Sequence, residues 1–168
     1  MEYIDIVNDN NEVIGSATQE EIYNKKLNHR IVHIFVIHPI SNKIYFQKRS
    51  ETKSFLPGYY CTSAGGHVQA GETYEKAAKR ELFEEIGIQT PVKKMDSMLF
   101  ISDGHKRFIE LYITKADNGF IFRDGEVSAG EFFNFDDAKK LIEKDEKIHP
   151  QLNVCFSWFI KNKKMIIR

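Results

Sequence analysis

The sequence contains no apolar run near the length of about 18 residues that a membrane-spanning helix needs. It has only two cysteines, Cys61 and Cys155, which form no metal-ligand pattern and are too few for a disulfide framework. Its 24 basic and 24 acidic residues cancel, so net charge gives no reason to expect a nucleic-acid or membrane partner. The first residues also lack the basic and apolar regions of a signal peptide. These absences favour a cytoplasmic protein with reduced, packed cysteines.

The length of 168 residues suits a single domain over 1–168 with a real core. We expect a strand pair and a short helix within residues 1–28, and an amphipathic helix within 149–163. The strongest hairpin signal joins Ile31–His38 to Ile44–Lys48 through a turn at Pro39–Asn42.

Alternating segments predict further strands at Val92–Ile101, Phe108–Thr114, Phe120–Phe122 and Glu131–Phe135. Helices are predicted at about 73–86 and 136–144, the first ending at Gly87. Mixed strands with helices of this kind indicate the α/β (α+β) class, as an α/β/α sandwich with a mixed sheet.

The most informative segment is 66–88, where a glycine-rich turn leads into a helix that carries three close carboxylates. Glu81, Glu84 and Glu85 stand at i, i+3 and i+4, so they project from one helix face. In an isolated helix, each pair of like charges at that spacing lowers helix stability by roughly a few tenths of a kcal/mol. A solvated acidic face is one interpretation. A bound divalent cation is the other, because hard cations prefer oxygen ligands.

The spacing on both sides of these carboxylates favours the cation. The segment resembles the Nudix box, G-x5-E-x7-R-E-U-x-E-E-x-G-U, in which U is an apolar residue. Every specified position is filled, by Gly66, Glu72, Arg80, Glu81, Leu82, Glu84, Glu85, Gly87 and Ile88. The chain is thereby identified as a member of the Nudix hydrolase superfamily, and this resemblance also implies the α/β/α sandwich.

The resemblance implies that Glu81, Glu84 and Glu85 bind Mg²⁺ (or Mn²⁺), together with a backbone carbonyl at Gly66. Glycines at 65 and 66 let the backbone approach a ligand closely. Arg80 can hold Glu84 in orientation, or pair with Glu72 across the loop, and in both cases it supports the reacting groups.

The general base is less well defined, because the family does not keep it in one place. Glu81 is one candidate, and Glu126 is the other, although Glu126 can equally be a loop carboxylate in water. Glu110 is a weaker candidate, since an alternating strand is expected to point it to solvent.

A second resemblance concerns the branch that includes isopentenyl-diphosphate isomerase. It is carried by Tyr3–Val7, Glu12–Gly15, His29-Arg30, Gln47–Arg49 and Leu56–Gly58. It implies that Arg49 and Lys53 hold a diphosphate, for which arginine is well suited; exposed bases at a strand end are the alternative. The isomerase needs a cysteine two residues before the box histidine, His67, where this chain has Gly65.

Three functions follow for comparison. The favoured one is a Mg²⁺-dependent hydrolase of a diphosphate joined to an organic group, such as a nucleoside diphosphate derivative. The second is the isomerase, and the third is a Nudix domain that binds a ligand without turnover. The segments 50–60, 102–107 and 115–130 are candidate walls of the substrate pocket, and N-terminal edge strands permit a homodimer.

Overall fold

The computed structural model describes residues 1–166, which form nine strands and four α-helices. The strands are β1 (Tyr3–Val7), β2 (Val13–Thr18), β3 (His29–Ile37), β4 (Ile44–Arg49), β5 (Tyr60–Cys61), β6 (Ala64–His67), β7 (Lys93–Ser102), β8 (His105–Lys115) and β9 (Val127–Phe133). The helices are α1 (Gln19–Lys25), α2 (Tyr74–Ile86), α3 (Phe135–Lys144) and α4 (Pro150–Asn162). No helix within residues 1–166 is long and apolar enough to cross a membrane.

Strand β3 is the centre of one mixed sheet, because its run of apolar residues is buried on both faces. One edge of β3 pairs in parallel with β8 from His29 to Ile37. Its other edge pairs antiparallel with β1 at His29, with β6 over Ile31–Ile34 and with β4 at Ile37. The short strand β6 therefore lies beside the middle of the sheet, where its Gly66 faces α2.

Helices cover both faces of the sheet. Helix α2 packs Ala78, Leu82 and Ile86 on one face, against Val32 and Ile34 of β3. Helices α3 and α4 cover the other face, with a core that includes Phe35, Phe46, Ala138, Phe156 and Phe159. The predicted α/β/α sandwich with a mixed sheet is confirmed.

The two ends of α2 are fixed by local chemistry. The Thr73 side chain accepts a hydrogen bond from the Lys76 backbone N–H and caps the first turn. Gly87 ends the helix at φ 75°, and a Cβ there would lie 3.0 Å or less from Ile121. Only glycine satisfies the conformation and the close approach together, so the register of the carboxylates along α2 is set from both ends.

Several boundaries differ from the sequence-based expectations. Residues Phe120–Phe122 are not a strand: Phe120 instead stacks on Tyr45 at 4.3 Å, and the Ile121 N–H donates to Ile86 O. The expected strand at 131–135 begins earlier, at Val127, because pairing with β4 extends along that whole strand. The connection between β7 and β8 is a tight hairpin turn, in which Asp103 and Gly104 both have positive φ.

Candidate active site

The three carboxylates of α2 differ in their surroundings. Glu81 and Glu85 are buried, with 9% and 5% of their surface exposed, whereas the Glu84 side chain is half-exposed. Both buried residues face β6, because positions i and i+4 of a helix lie one above the other. A helix that needed only a solvated acidic face would not bury two of its three acids. The solvated-face interpretation of the sequence is therefore wrong for Glu81 and Glu85.

The glycines of β6 allow these carboxylates to approach the backbone. A Cβ at Gly66 would overlap the Glu81 carboxylate. The Gly65 N–H donates to Glu85 Oε2 at 3.3 Å, and the Gln47 amide of β4 donates to the same oxygen. A larger residue at 66 would push α2 away, whereas one at 65 would collide with His33 and Val32 of β3, so each glycine is needed for a different contact.

Arg80 forms hydrogen bonds with several residues of the 66–88 segment rather than with one partner. Its guanidinium makes a bidentate pair with Glu72, with N···O distances of 3.0 and 2.9 Å. It also donates to Glu81 at 2.7 Å, to Glu84 at 3.2 Å and to the His67 carbonyl at 2.9 Å. The two alternatives that the sequence left open, Glu84 or Glu72, are therefore both realised by the same side chain.

The pKa shifts follow from burial and from like charges. Burial, with smaller contributions from Glu84 and Glu126, raises the pKa of Glu81 to about 7 even though Arg80 lowers it. The pKa of Glu85 is raised well above its ordinary value by burial and then by Glu81 and Glu126, against the Gln47 hydrogen bond. The site thus contains more acid than its neighbouring donors neutralise, which favours a proton or a cation there.

The loop before β9 brings a fourth carboxylate to α2. The Glu126 charge contributes to raising the pKa of both Glu81 and Glu85, so it lies near enough to act on them. Glu126 Oε1 lies 2.9 Å from Lys53 Nζ, and its backbone N–H donates to Asp124 at 2.9 Å. Lys53 and Glu126, assigned to different roles from the sequence, are direct partners.

Two other sequence candidates have different surroundings. The Arg49 guanidinium donates to the Phe55 carbonyl at 2.9 and 3.2 Å, so it anchors the loop that follows β4. The expectation that Glu110 points to solvent is wrong. Only 15% of its side chain is exposed, and its carboxylate pairs with Lys94 and accepts from Tyr112 at 2.6 Å.

A cluster of aromatic and basic side chains lies at the start of β3, and we name it the histidine cluster: Tyr23, His29, His67, His105 and Arg107. The three imidazole rings lie around Tyr23 with centroid distances of 5.5 to 5.8 Å. The Tyr23 hydroxyl contacts His67 Nε2 at 2.9 Å, and the Arg107 guanidinium lies 5.8 Å from the Tyr23 ring centre. This cluster faces the sheet side that carries α4, opposite α2.

The oxygen ligands that the α2 carboxylates and the Gly66 carbonyl offer are of the kind that a hard divalent cation prefers. Glu81, Glu84, Glu85 and the Gly66 carbonyl supply only oxygen atoms, which Mg²⁺ prefers. Their present arrangement is not a finished site, because no group of three or more His, Cys, Asp or Glu side chains within residues 1–166 is placed to hold a metal ion. Arg80 Nη1 bonds both Glu81 and Glu84 and holds them to itself. A cation would therefore have to share or replace those contacts.

Some residues of the site had no individual role assigned from the sequence. Gln47 is 4% exposed within an apolar stretch of β4, and a buried amide in such a strand is a signal that a polar partner lies nearby. His105 and Arg107 lie in the segment 102–107 that was expected as a pocket wall, but the pairing of β8 with β3 is what places them beside His29. A surface concavity of about 940 Å³ between β9 and α3 contains none of the predicted site residues.

Comparison with known proteins identifies the family. A family model described as NUDIX domain matches residues 27–152. A relative from Salmonella typhi, named as an uncharacterized Nudix hydrolase YfcD, is 38% identical over 128 residues, covering 76% of this chain and 69% of the relative. The chain therefore belongs to the NUDIX family, and this relative is a hydrolase by name.

Two further similarities bear on fold and function. The crystal structure of DR0079 from Deinococcus radiodurans superposes with a TM-score of 0.78 at 26% identity, covering 92% of this chain and 99% of that one. An isopentenyl-diphosphate Delta-isomerase 2 from Photorhabdus laumondii is 31% identical over 153 residues, covering 88% of this chain and 86% of the relative. The resemblances to the Nudix superfamily and to its isomerase-containing branch are confirmed.

Proposed function

We propose that this Nudix hydrolase cleaves a diphosphate linkage in a nucleoside diphosphate derivative or similar small metabolite, with Mg²⁺ or Mn²⁺ as cofactor. The observation that carries the proposal is the burial of Glu81 and Glu85 next to each other. Burying two acids together is unfavourable unless a proton or cation compensates them. A divalent cation that also binds diphosphate oxygens supplies that compensation.

The cofactor would be held by Glu81, Glu84, Glu85 and the Gly66 carbonyl. A divalent cation at these oxygens supplies charge neutralisation of the diphosphate and Lewis acidity. Arg80 orients Glu81 and Glu84 through its hydrogen bonds to both. Arg49 and Lys53 supply positive charge for the anionic substrate in this proposal, and to do so they would share or exchange their present contacts with the Phe55 carbonyl and Glu126.

Glu126 is the base in this proposal. Its side chain is 45% exposed and pairs with Lys53 through Oε1, so the carboxylate is accessible to a water molecule. That water attacks phosphorus and gives its proton to Glu126, while the phosphorus–oxygen bond of the anhydride breaks and the leaving phosphate takes the electron pair. Glu81 is the alternative base, because its pKa of about 7 also suits proton transfer.

The test is a panel of nucleoside diphosphates, nucleoside triphosphates, sugar nucleotides and prenyl diphosphates, each with and without Mg²⁺ or Mn²⁺. We expect metal-dependent turnover that falls by about 100-fold or more in Glu84→Gln and Glu85→Gln. Glu75→Gln removes an exposed carboxylate from the first turn of the same helix and is the matched control. Turnover without metal, or full activity in Glu85→Gln, would refute the proposal. Tight ligand binding without turnover of any diphosphate would favour the non-catalytic alternative.

Isomerase activity is the second candidate, because one relative carries that name. Gly65 occupies the position of the required cysteine, and a Cβ there would lie 2.7 Å from both His33 Nδ1 and Val32 O. Cys61 is buried, and burial raises the pKa of its thiol to about 11, so it is a poor proton carrier. These observations support hydrolysis, and product analysis with isopentenyl diphosphate separates the two reactions.

A further inference from the structure

Glu85 differs from the other two carboxylates of α2 in the groups that hold it. Those two accept hydrogen bonds from the guanidinium of Arg80. Within residues 1–166, Glu85 accepts only from neutral groups, the Gln47 side-chain amide and the Gly65 backbone N–H. A guanidinium compensates the charge of its partner, whereas an amide carries no charge. The fold therefore fixes the position of Glu85 and leaves its charge to be compensated by a proton or a cation.

Both donors to Glu85 bind the same oxygen atom. Gln47 Nε2 and the Gly65 N–H donate to Oε2, the latter at 3.3 Å, and no donor among the described residues reaches Oε1. Oε1 is also not buried without a partner, because His29 Nε2 is the one atom of that kind in residues 1–166. Oε1 is therefore the oxygen of Glu85 that reaches solvent, although only 5% of the residue is exposed.

The sheet fixes the position of the Gln47 amide. Gln47 lies in β4 and pairs on one side with Cys61 of β5 and on the other side with Gly130 of β9. Its side chain is on the α2 side of β4, like that of Tyr45 two residues earlier, and only 4% of the residue is exposed. An amide enclosed in this way has little freedom to turn aside and release Oε2.

The number of available oxygens on a carboxylate affects which cation it binds. Ca²⁺ takes about six to eight oxygen ligands and often binds both oxygens of one carboxylate, whereas Mg²⁺ demands near-octahedral coordination at shorter distances. A carboxylate with one oxygen occupied by two N–H donors offers only the other oxygen. Glu85 therefore suits the smaller cation better than a larger one that needs more ligands.

We propose that Gln47 is a positioning residue that makes Glu85 a one-oxygen ligand, through Oε1, and thereby favours Mg²⁺ over Ca²⁺. This inference rests on the proposed function, because it concerns the same cation. It makes that function more specific by assigning the choice of cation to a side chain outside the 66–88 segment. Gln47 is the donor to replace, because a Cβ at Gly65 would collide with β3.

The test measures cation binding in the absence of substrate. Melting temperatures of the wild type, Gln47→Met and Gln69→Met are recorded against increasing Mg²⁺ and, separately, Ca²⁺, and each series gives a dissociation constant. Methionine keeps the length of the side chain and removes the amide donor. Gln69→Met is the matched control, because the Gln69 amide donates to Glu2 rather than to a carboxylate of α2.

We expect the wild type to bind Mg²⁺ more tightly than Ca²⁺. Gln47→Met should reduce the ratio of the Ca²⁺ to the Mg²⁺ dissociation constant by about fivefold or more, because Oε2 loses its side-chain donor. Gln69→Met should leave that ratio within about twofold of the wild type. An unchanged ratio in Gln47→Met, even with both affinities weakened, would overturn the inference, since a purely structural role weakens both cations alike.

Gln47→Asn answers the same question if Gln47→Met does not fold. Its amide is one methylene shorter, so the residue stays polar but withdraws from Oε2, and we expect the same fall in the ratio. A wild type that responds to neither cation would refute the cofactor of the proposed function together with this inference. A wild type that binds Mg²⁺ selectively but hydrolyses no diphosphate would refute the hydrolysis alone.

Discussion

Replacement of Arg80 by methionine is expected to destabilise the fold more than the loss of any surface charge would. Arg80 makes five hydrogen bonds, four of them to the carboxylates of Glu72, Glu81 and Glu84. Methionine retains much of the apolar stem and removes all five donors. The substitution therefore separates the charge and hydrogen bonds of the guanidinium from its packing.

The magnitude follows from which acceptors are left without partners. The side chains of Glu72 and Glu81 are only 14% and 12% exposed, so neither regains full hydration. Glu72 keeps one donor, the Gln69 N–H at 3.0 Å, and Glu84 is half-exposed. Removing one partner of a fully buried ion pair costs about 3–5 kcal/mol. Because partial exposure reduces that figure, we expect a loss of about 3 kcal/mol, close to two orders of magnitude in the unfolding equilibrium constant.

The assay is urea denaturation at pH 7 without divalent cations, followed by circular dichroism. Lys79→Met is the control, because Lys79 lies on the same helix and pairs with exposed Glu75; its loss should change stability by about 0.5 kcal/mol or less. Arg80→Lys keeps the charge without the fork and should fall between wild type and Arg80→Met. If Arg80→Met is as stable as Lys79→Met, the central role assigned to this guanidinium is wrong.

Three other substitutions test separate contacts. Gly66→Ala places a Cβ on the Glu81 carboxylate, so we expect about 1–3 kcal/mol of lost stability in urea denaturation and at least about tenfold lower turnover; an alanine variant with full activity would contradict the close packing. Gln47→Leu removes a donor from buried Glu85 and should cost about 1–3 kcal/mol in the same denaturation assay, whereas an unchanged midpoint would mean that the amide contributes nothing. Burial lowers the pKa of His33 from 6.5 to about 4. The neutral imidazole therefore contributes stability above pH 6.5, and this contribution is lost as the pH falls toward 4. His33→Gln should reduce the slope of unfolding free energy against pH in this window by up to about 1.4 kcal/mol per pH unit, and an unaltered slope would refute the role of His33.

The parts of the site that the sequence predicts are those set by local geometry. The relation of Glu81, Glu84 and Glu85 depends only on helical periodicity. The ends of their helix depend on Thr73 and Gly87, whose capping roles are also local. These features need no knowledge of the rest of the fold.

The remaining contacts depend on strand pairing across long stretches of chain. Gln47 meets Glu85 across 38 residues, and Lys53 meets Glu126 only because β4 pairs with β9. No spacing rule relates such residues. The wrong prediction at Phe120–Phe122 has the same origin. The aromatic and β-branched residues of this segment favour a strand locally, but Phe120 stacks on Tyr45 and the segment forms no strand.

The burial of Glu85 lowers the stability of the cation-free protein. Its folded pKa is raised above the unfolded value of 4.5, so folding takes up a proton and stability falls as pH rises above 4.5. Glu85→Gln removes this penalty and should be at least as stable as wild type at pH 7 without cations. Binding of a cation to the folded state alone stabilises by about 2.7 kcal/mol at 100 times its dissociation constant.

Mg²⁺ should therefore raise the melting temperature of the wild type, but not of Glu85→Gln, in a thermal melt with and without the cation. The opposite pattern, a less stable Glu85→Gln that still responds to Mg²⁺, would mean that Glu85 serves packing rather than cation binding. A residue that weakens the empty protein and stabilises the loaded one is the behaviour expected of a functional carboxylate, because a purely structural position would have no reason to retain an acid there.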